Sequence, residues 1–274
     1  MSVKSRVPTS SMLTIMVAMA LACSCAPKGK KAAADQGNGD DVVKDCQLPP
    51  EQANSLQGHW ATLPIKVSYS QGEWNDSEVQ AIQAGADTWN KFYSASQGLT
   101  VFNAATSNIS LANQNIPTCA GGTLSDGTVL YKRFTNWGKS SAAIAVTTTC
   151  YSVPPGGGLA TIYNAIMEFN YINFFTSSAG KYPDLQSIAT HELGHLLGLD
   201  HSCGPLGRPN QAKSNVACPD PNADPENSLL QTVMFYTVFF DGAQGEIKQK
   251  LSSNDEGRAN CLYGNAAVSQ PGSN

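Results

Sequence analysis

Residues 191–201 read His191-Glu192-Leu193-Gly194-His195-Leu196-Leu197-Gly198-Leu199-Asp200-His201, and this stretch decides how the chain is read. Ala189, Leu193, Leu196 and Leu197 recur at i, i+4, i+7 and i+8, which predicts a helix beginning at Leu185 behind Asp184 as its cap. On such a helix His191 and His195 stand one turn apart on one face. Two imidazoles so placed can share one zinc ion. Glu192 adjoins the first of them, close enough to take a proton from a metal-polarised water without occupying a coordination position. Gly198 can adopt positive φ, end the helix and turn the chain back. His201 can then supply a third nitrogen. Three protein ligands with a fourth position open is the plan of a catalytic zinc, not a structural one. A bare H-E-x-x-H arises by chance, but Gly198 and His201 in register make the pattern far more specific.

Beyond the helix, residues 202–227 carry Pro205, Pro209, Pro219, Pro221 and Pro225 and read as a long irregular loop. An apolar run, Thr232-Val233-Met234-Phe235-Tyr236, comes next. Leu251–Tyr263 reads as a final helix, with Ser252 and Ser253 as caps and Gly264 as a stop signal. On the N-terminal side, Ile65, Val67 and Tyr69 alternate with polar residues as a half-buried strand does. Asn75-Asp76-Ser77-Glu78 offers cap chemistry, and Val79, Ile82, Ala86 and Trp89 predict a helix of about 15 residues with one buried face. Leu99–Phe102, Thr128–Tyr131, Ala142–Thr147 and Ala165–Phe169 are further strand candidates. Residues 103–127 read as loops around weak strands.

The first residues have the form of an export signal: Lys4 and Arg6, then the apolar run Met12–Ala22, too short to span a bilayer. It ends at Ala20-Leu21-Ala22-Cys23-Ser24-Cys25. A small residue before a cysteine at this point resembles a bacterial lipoprotein signal, with Cys23 the better match for the lipidated residue and Cys25 the alternative. An ordinary secretory signal is the plainer reading. The expected organisation is a signal over 1–22, a lipidated or flexible tether over 23–57, one folded domain over 58–264 and a loose tail over 265–274. The chain is therefore expected to be exported, as an envelope lipoprotein or a secreted protein, touching the membrane only through the lipid.

Beyond Cys23 and Cys25 there are six cysteines, an even number that suggests three disulfides in an exported chain. The ranked pairing is Cys203–Cys218, which closes the Pro-rich loop, then Cys119–Cys150, then Cys46–Cys261. No C-x-x-C pair exists to suggest a cysteine zinc site. Across 274 residues, 41% are hydrophobic, 14% are charged and the net charge is −4, which excludes a disordered acidic tail or coiled coil and argues against a nucleic-acid partner. Of four histidines, three lie in the stretch quoted at the outset.

With these residues in view, the chain resembles the metzincin metallopeptidases, and among them the matrixins. His191–Ser202 looks like the matrixin zinc helix and Leu251–Gly264 like its C-terminal helix. Trp60 with Ile65–Tyr69 is similar to the first strand, and Ser77–Trp89 to the first long helix. The resemblance implies an α+β fold: a twisted, mostly parallel sheet with two long helices above a cleft, and a small irregular lower part with a C-terminal helix. It implies a zinc-dependent endopeptidase acting on extended polypeptides, with His191, His195 and His201 as zinc ligands and Glu192 as general base. Met234 takes the position of the Met-turn beneath the zinc, against the plain reading of a core methionine. Asp255 matches the residue that ties the Met-turn down, against the plain reading of a solvated helix charge. Asn254 stands where many members have a second Asp.

This chain also departs from the family. Tyr236 stands where matrixins usually have Pro, and Met-x-Tyr is more like astacins and serralysins, whose tyrosine can reach the zinc. Tyr236 is thus either a donor to the reaction's oxyanion or a plain packed aromatic beside Phe235, Phe239 and Phe240. Matrixins also carry a structural zinc bound by several histidines, for which only His59 is spare here. Calcium enters the expectation as an additional metal with no residues assigned. Cys46 supports two readings: a disulfide cysteine, or a thiolate of cysteine-switch type that blocks the metal. A monomer is expected. Hydrolysis of cell-wall peptides and non-catalytic binding at the cell surface are the competing functions; the intact Glu192 argues against the latter.

Overall fold

Alternation along Ile65–Ser70 produces a strand, as the sequence leads one to expect, and a parallel sheet is built around it. The structure is a computed structural model, and it describes residues 42–70, 72–103, 108–109, 128–204 and 216–263. Its strands are β1 (Gly58–Trp60), β2 (Ile65–Ser70), β3 (Phe102–Asn103), β4 (Asn108–Ile109), β5 (Thr128–Arg133), β6 (Ala145–Ser152), β7 (Ala160–Asn170), β8 (Phe240–Asp241) and β9 (Gln244–Gly245). Its helices are α1 (Asp76–Gln97), α2 (Leu185–Leu197) and α3 (Ser253–Tyr263). The main sheet runs β1-β7-β5-β2-β3, with β4 also on β2 and β6 also on β7. Every pairing in it is parallel except that of β6 with β7. The architecture is the expected α+β one, and β8 and β9 form a separate small hairpin.

Helix α1 is longer than its apolar spacing predicted. Asn75 and Glu78 form a capping box at its start, and Phe92 and Tyr93 extend the buried face beyond Trp89 until Gly98, at φ 68°, ends it. Strand β7 likewise runs on to both sides of Ala165–Phe169, because β1 and β6 pair with its first residues. Strand β6 starts at Ala145 instead of Ala142, and little of the Leu99–Phe102 candidate is strand, since only Phe102–Asn103 pairs with β2.

Helix α2 is buried from Ser187 to Leu197 on every side, so it is a core helix and not a surface one. Trp89 of α1 packs against it and donates its indole N–H to Thr190 O at 2.8 Å. The last carbonyls of α2 lack partners within the helix. Trp60 Nε1 serves Leu196 O at 2.7 Å and the Tyr263 hydroxyl serves Leu197 O at 2.9 Å. Strand β1 and helix α3 are thereby pinned to the end of α2.

The expected boundary at Gly58 falls too late. Cys46 is bonded to Cys261 across 215 residues, Gln52 and Ser55 are buried, and Asp200 N donates to Ser55 O at 2.8 Å. Residues 42–57 thus pack on α3 and on the turn after α2, where a free tether would make no such contacts. The same bond removes the cysteine-switch reading of Cys46, because a sulfur spent in a disulfide cannot act as a thiolate. Cys203–Cys218 is also formed. Cys150 is disulfide-bonded, while Cys119 lies outside the described residues. So do the signal over 1–22, Cys23, Cys25, Gly264 and the tail over 265–274. Among the described residues no helix is long and apolar enough to cross a membrane, and the two disulfides fit an oxidising compartment.

Candidate metal centre

Helix α2 brings His191 and His195 to one face, as their spacing requires, and their ring centroids lie 4.6 Å apart. Gly198 then ends the helix at φ 115°. No other residue fits there, because a Cβ would collide with Gly58 O of β1 as well as strain the backbone. The reversal carries His201 back over α2, with its ring 5.2 Å from that of His191 and 4.8 Å from that of His195. One ligand atom from each of the three lies within 4.8 Å of the others, and all three residues are buried. Among the described residues this is the one group of His, Cys, Asp and Glu that could hold a metal, and none supports calcium.

The donor chemistry fits a cation. His191 Nδ1 meets Val233 O at 2.7 Å and His195 Nδ1 meets Leu199 O at 2.8 Å. A carbonyl only accepts, so each Nδ1 carries the hydrogen and each neutral ring turns the lone pair of Nε2 inward. The two Nε2 atoms face each other at 3.0 Å. Burial pushes all three imidazoles below the usual histidine value, and for His191 and His201 the neighbouring imidazoles add to it. Neutral imidazole is the form that binds metal.

Glu192 is 1% exposed and points to β6, where Thr147 Oγ1 donates to its Oε2 at 2.7 Å. Burial pushes its carboxyl up to about 8, against the opposing effect of the Thr147 hydroxyl. Thr147 had no signal in the sequence beyond its place in a strand, because only the pairing of β6 with β7 brings it over α2.

Below the histidines, Met234 is fully buried with its sulfur against Gly194 of α2, where any Cβ would collide with it. Val233 N and Met234 N donate to Asp255 Oδ2 and Oδ1 at 2.8 and 3.2 Å. Asp255 also accepts from Ser252 N and Ser252 Oγ and has no exposure, so it is no solvated surface charge. Arg258, equally buried, lies 3.7 Å from Asp255 and donates to Asp200 O at 3.0 Å. Nothing in the sequence marked Arg258, whose carbonyl partner Asp200 lies 58 residues away in the turn after α2. Tyr236 is half-buried, its ring 6.2 Å from that of His201 and edge-on to Phe235 at 5.0 Å. The three histidines come together, Tyr236 lies beside His201, and Asp255 bonds the Val233–Met234 turn whose Val233 O meets His191, while Cys23 lies outside the described residues.

No curated protein matches the chain. The family model of the matrixins does, over residues 65–206, which includes the three histidines and Glu192 but stops short of Met234 and Asp255. That match spans just over half of the chain, and the chain belongs to the matrixin family of metallopeptidases.

Proposed function

We propose that the protein is a zinc-dependent endopeptidase that cleaves extended polypeptides. The observation that carries this is the pair of Nε2 atoms of His191 and His195 facing each other, with His201 beside them and the buried Glu192 next to His191 on α2. The three histidines would hold the ion. When bound, zinc supplies Lewis acidity that polarises the scissile carbonyl and lowers the pKa of water toward about 7. Glu192 accepts the proton of the attacking water and later delivers it to the leaving amine. Thr147 fixes one oxygen of that carboxylate, which leaves the other for the proton. Tyr236 is assigned to the oxyanion as a hydrogen-bond donor; its half-exposed ring beside His201 supports this. Asp255 holds the Met234 turn, and through Val233 O it orients His191.

The substrate reading rests on β6. It pairs with β7 along one side, and no described strand pairs with its other side. An extended peptide can add there by main-chain hydrogen bonds, next to Thr147 and Glu192. A polypeptide is thus the expected partner, the enzyme acts as a monomer, and nucleic acid plays no part. Export and lipidation at Cys23 complete the proposal. Fatty-acid labelling of expressing cells should tag the chain, and Cys23→Ala should lose the tag.

Metal analysis of purified protein should give about one zinc per chain, as a three-histidine site implies. Glu192→Ala should keep that zinc and lose casein cleavage by at least ~10²-fold. Full turnover by Glu192→Ala, or zinc retained in a His195→Ala, His201→Ala double variant, would overturn the assignment. Cleavage of muropeptides but not of casein would move the substrate to the cell wall. Tyr236→Phe should lower kcat about 10- to 10³-fold with little change in KM; normal kcat would return Tyr236 to simple packing.

A further inference from the structure

Residues 42–57 run first along α3 and then beneath the turn that follows α2. Val43 N donates to Glu256 Oε2 at 3.0 Å, Gln47 N to Gly257 O at 2.9 Å, and Asn260 Nδ2 to Val43 O at 2.7 Å and Asp45 O at 3.2 Å. The Cys46–Cys261 bond makes this contact covalent. Farther on, Gln57 N donates to Gly198 O at 2.7 Å, and residues Leu56 and Leu199 form a β-bridge.

Gln52 sits between these two sets of contacts and is 1% exposed. Its Nε2 donates to Ser202 O at 2.6 Å, and its Oε1 accepts from Asn254 Nδ2 at 2.7 Å. Asn254 Oδ1 in turn accepts from Arg258 Nε at 3.0 Å. Arg258 Nη1 donates to Asp200 O at 3.0 Å and reaches His201 O at 3.5 Å. Three successive carbonyls, those of residues 200, 201 and 202, are thus gripped by two side chains, Arg258 and Gln52. His201 is the middle residue of the three. Its segment is irregular, so no helix ladder fixes it as α2 fixes His191 and His195. Burying a primary amide is costly unless both ends are bonded, and here both are.

We infer that Gln52 is a positioning residue for His201, and that residues 42–57 are a permanent part of the metal-binding unit, not a removable leader. The inference rests on the reading of His201 as a zinc ligand. Gln52 acts through the backbone of Ser202 and touches neither metal nor substrate. A mature enzyme must then keep this segment, and processing anywhere between Cys46 and Gly58 would loosen the third ligand.

The test uses the full mature chain with its disulfides intact. Gln52→Met keeps length and volume but removes the side chain's hydrogen bonds to Ser202 O and Asn254. Asn260→Ala loosens the same segment at Val43 and Asp45 without touching Ser202. Zinc release to a chromogenic chelator, the visible spectrum of the cobalt-loaded protein, and kcat and KM are measured for each. Gln52→Met should release zinc at least ~10-fold faster, as loss of support around a metal ligand typically weakens binding 10- to 100-fold. It should also shift the cobalt bands and lower kcat more than it changes KM. Asn260→Ala should melt lower yet keep wild-type zinc release and spectrum. Should Gln52→Met fail to fold, Gln52→Glu removes the donor to Ser202 while keeping the acceptor for Asn254, with the same expectations. Wild-type release and spectrum in the Gln52 variant would overturn the inference. So would equal acceleration in Gln52 and Asn260 variants, which would mean that the segment acts through stability alone. Wild-type protein that takes up no zinc would sink the zinc reading itself, and this inference with it.

Discussion

His191 and His195 on one side, and His201 on the other, are held in place by different physics. The first two ride on α2, whose backbone is set by its own hydrogen bonds and whose surroundings are apolar: Trp89, Ile188, Leu193, Leu196 and Leu197 are all buried. His201 rides on an irregular segment whose carbonyls are held by Arg258 and Gln52, next to a turn held by Asp255. Apolar packing is spread over many small contacts and tolerates exchange of one hydrophobic shape for another. A buried polar network concentrates its effect in a few groups, and removing one member strands the others without water. The apolar surroundings of α2 should therefore absorb substitutions that the polar network around residues 200–202 cannot. Stabilities below refer to metal-free protein, so that zinc binding does not enter the comparison.

The largest expected effect is at Asp255. Asp255→Ala strands Val233 N, Met234 N, Ser252 N and the charge of Arg258 in the interior. Breaking a buried ion pair from one side costs about 3–5 kcal/mol, which denaturant unfolding would register directly. Arg258→Met, which removes the other partner at similar volume, should cost as much. A loss below about 1 kcal/mol in both would break the comparison, since Asp255 would then be no more than a solvated charge.

The Cys203–Cys218 bond comes next. It spans 15 residues and stands in a second, small core with Leu230 and Phe235. A loop of this length is worth roughly 3 kcal/mol in the chain-entropy account. Cys203→Ser with Cys218→Ser should lower stability by about that much. Either cysteine alkylated in native, unreduced protein would refute the bond.

These two parts were also legible in the sequence to different degrees, for the same reason. Periodicity reports apolar burial, so α2, its cap at Asp184, Gly198 and the three histidines could be read from spacing alone. Asp255 and Met234 were legible only through likeness to matrixins. Gln52, Thr147 and Arg258 were not legible at all, because what they do depends on partners 150, 45 and 58 residues away. Of strand β1 only Trp60 was legible, through likeness to matrixins, because Gly58-His59-Trp60 is too short to show a period; it is a strand because β7 pairs with it. The contacts of residues 42–57 escaped it too, because their composition is that of a linker and only the Cys46–Cys261 bond hinted otherwise.

A smaller effect is expected within the apolar part. Leu193→Met exchanges one fully buried side chain for another of like volume on the helix that carries His191 and His195. Such swaps cost less than about 1.5 kcal/mol. A loss as large as that of Arg258→Met would mean that α2 is as brittle as the segment after it, and the contrast would fail.

The smallest effect is a difference of sign in acid. Glu78 in the first turn of α1 and Glu256 in α3 are both partly buried carboxyls, yet their titration is displaced in opposite directions. For Glu78, burial alone would raise the pKa, but hydrogen bonds from Lys132, Asn75 N and Tyr171 together outweigh it and hold the carboxyl below the usual range. For Glu256, burial raises the pKa and the charge of Asp255 adds to it, against one bond from Val43 N. The unfolded chain therefore holds the Glu78 proton more readily than the folded one does. Its contribution to stability is complete above the ordinary carboxylate value and is lost as pH falls through the lower, folded value. Glu256 does the reverse: its ionised form is disfavoured in the folded state, so it detracts from stability near neutrality, and that penalty disappears as pH falls below the ordinary value. Glu78→Gln should thus lower stability at pH 7 and flatten the acid limb of the stability curve. Glu256→Gln should raise stability slightly at pH 7, with the gain vanishing toward pH 4, because glutamine keeps an acceptor for Val43 N without the charge beside Asp255. Parallel pH-dependent melting curves for the two variants would show that both carboxyls answer to net charge alone, and not to the partners that distinguish the two parts of the molecule.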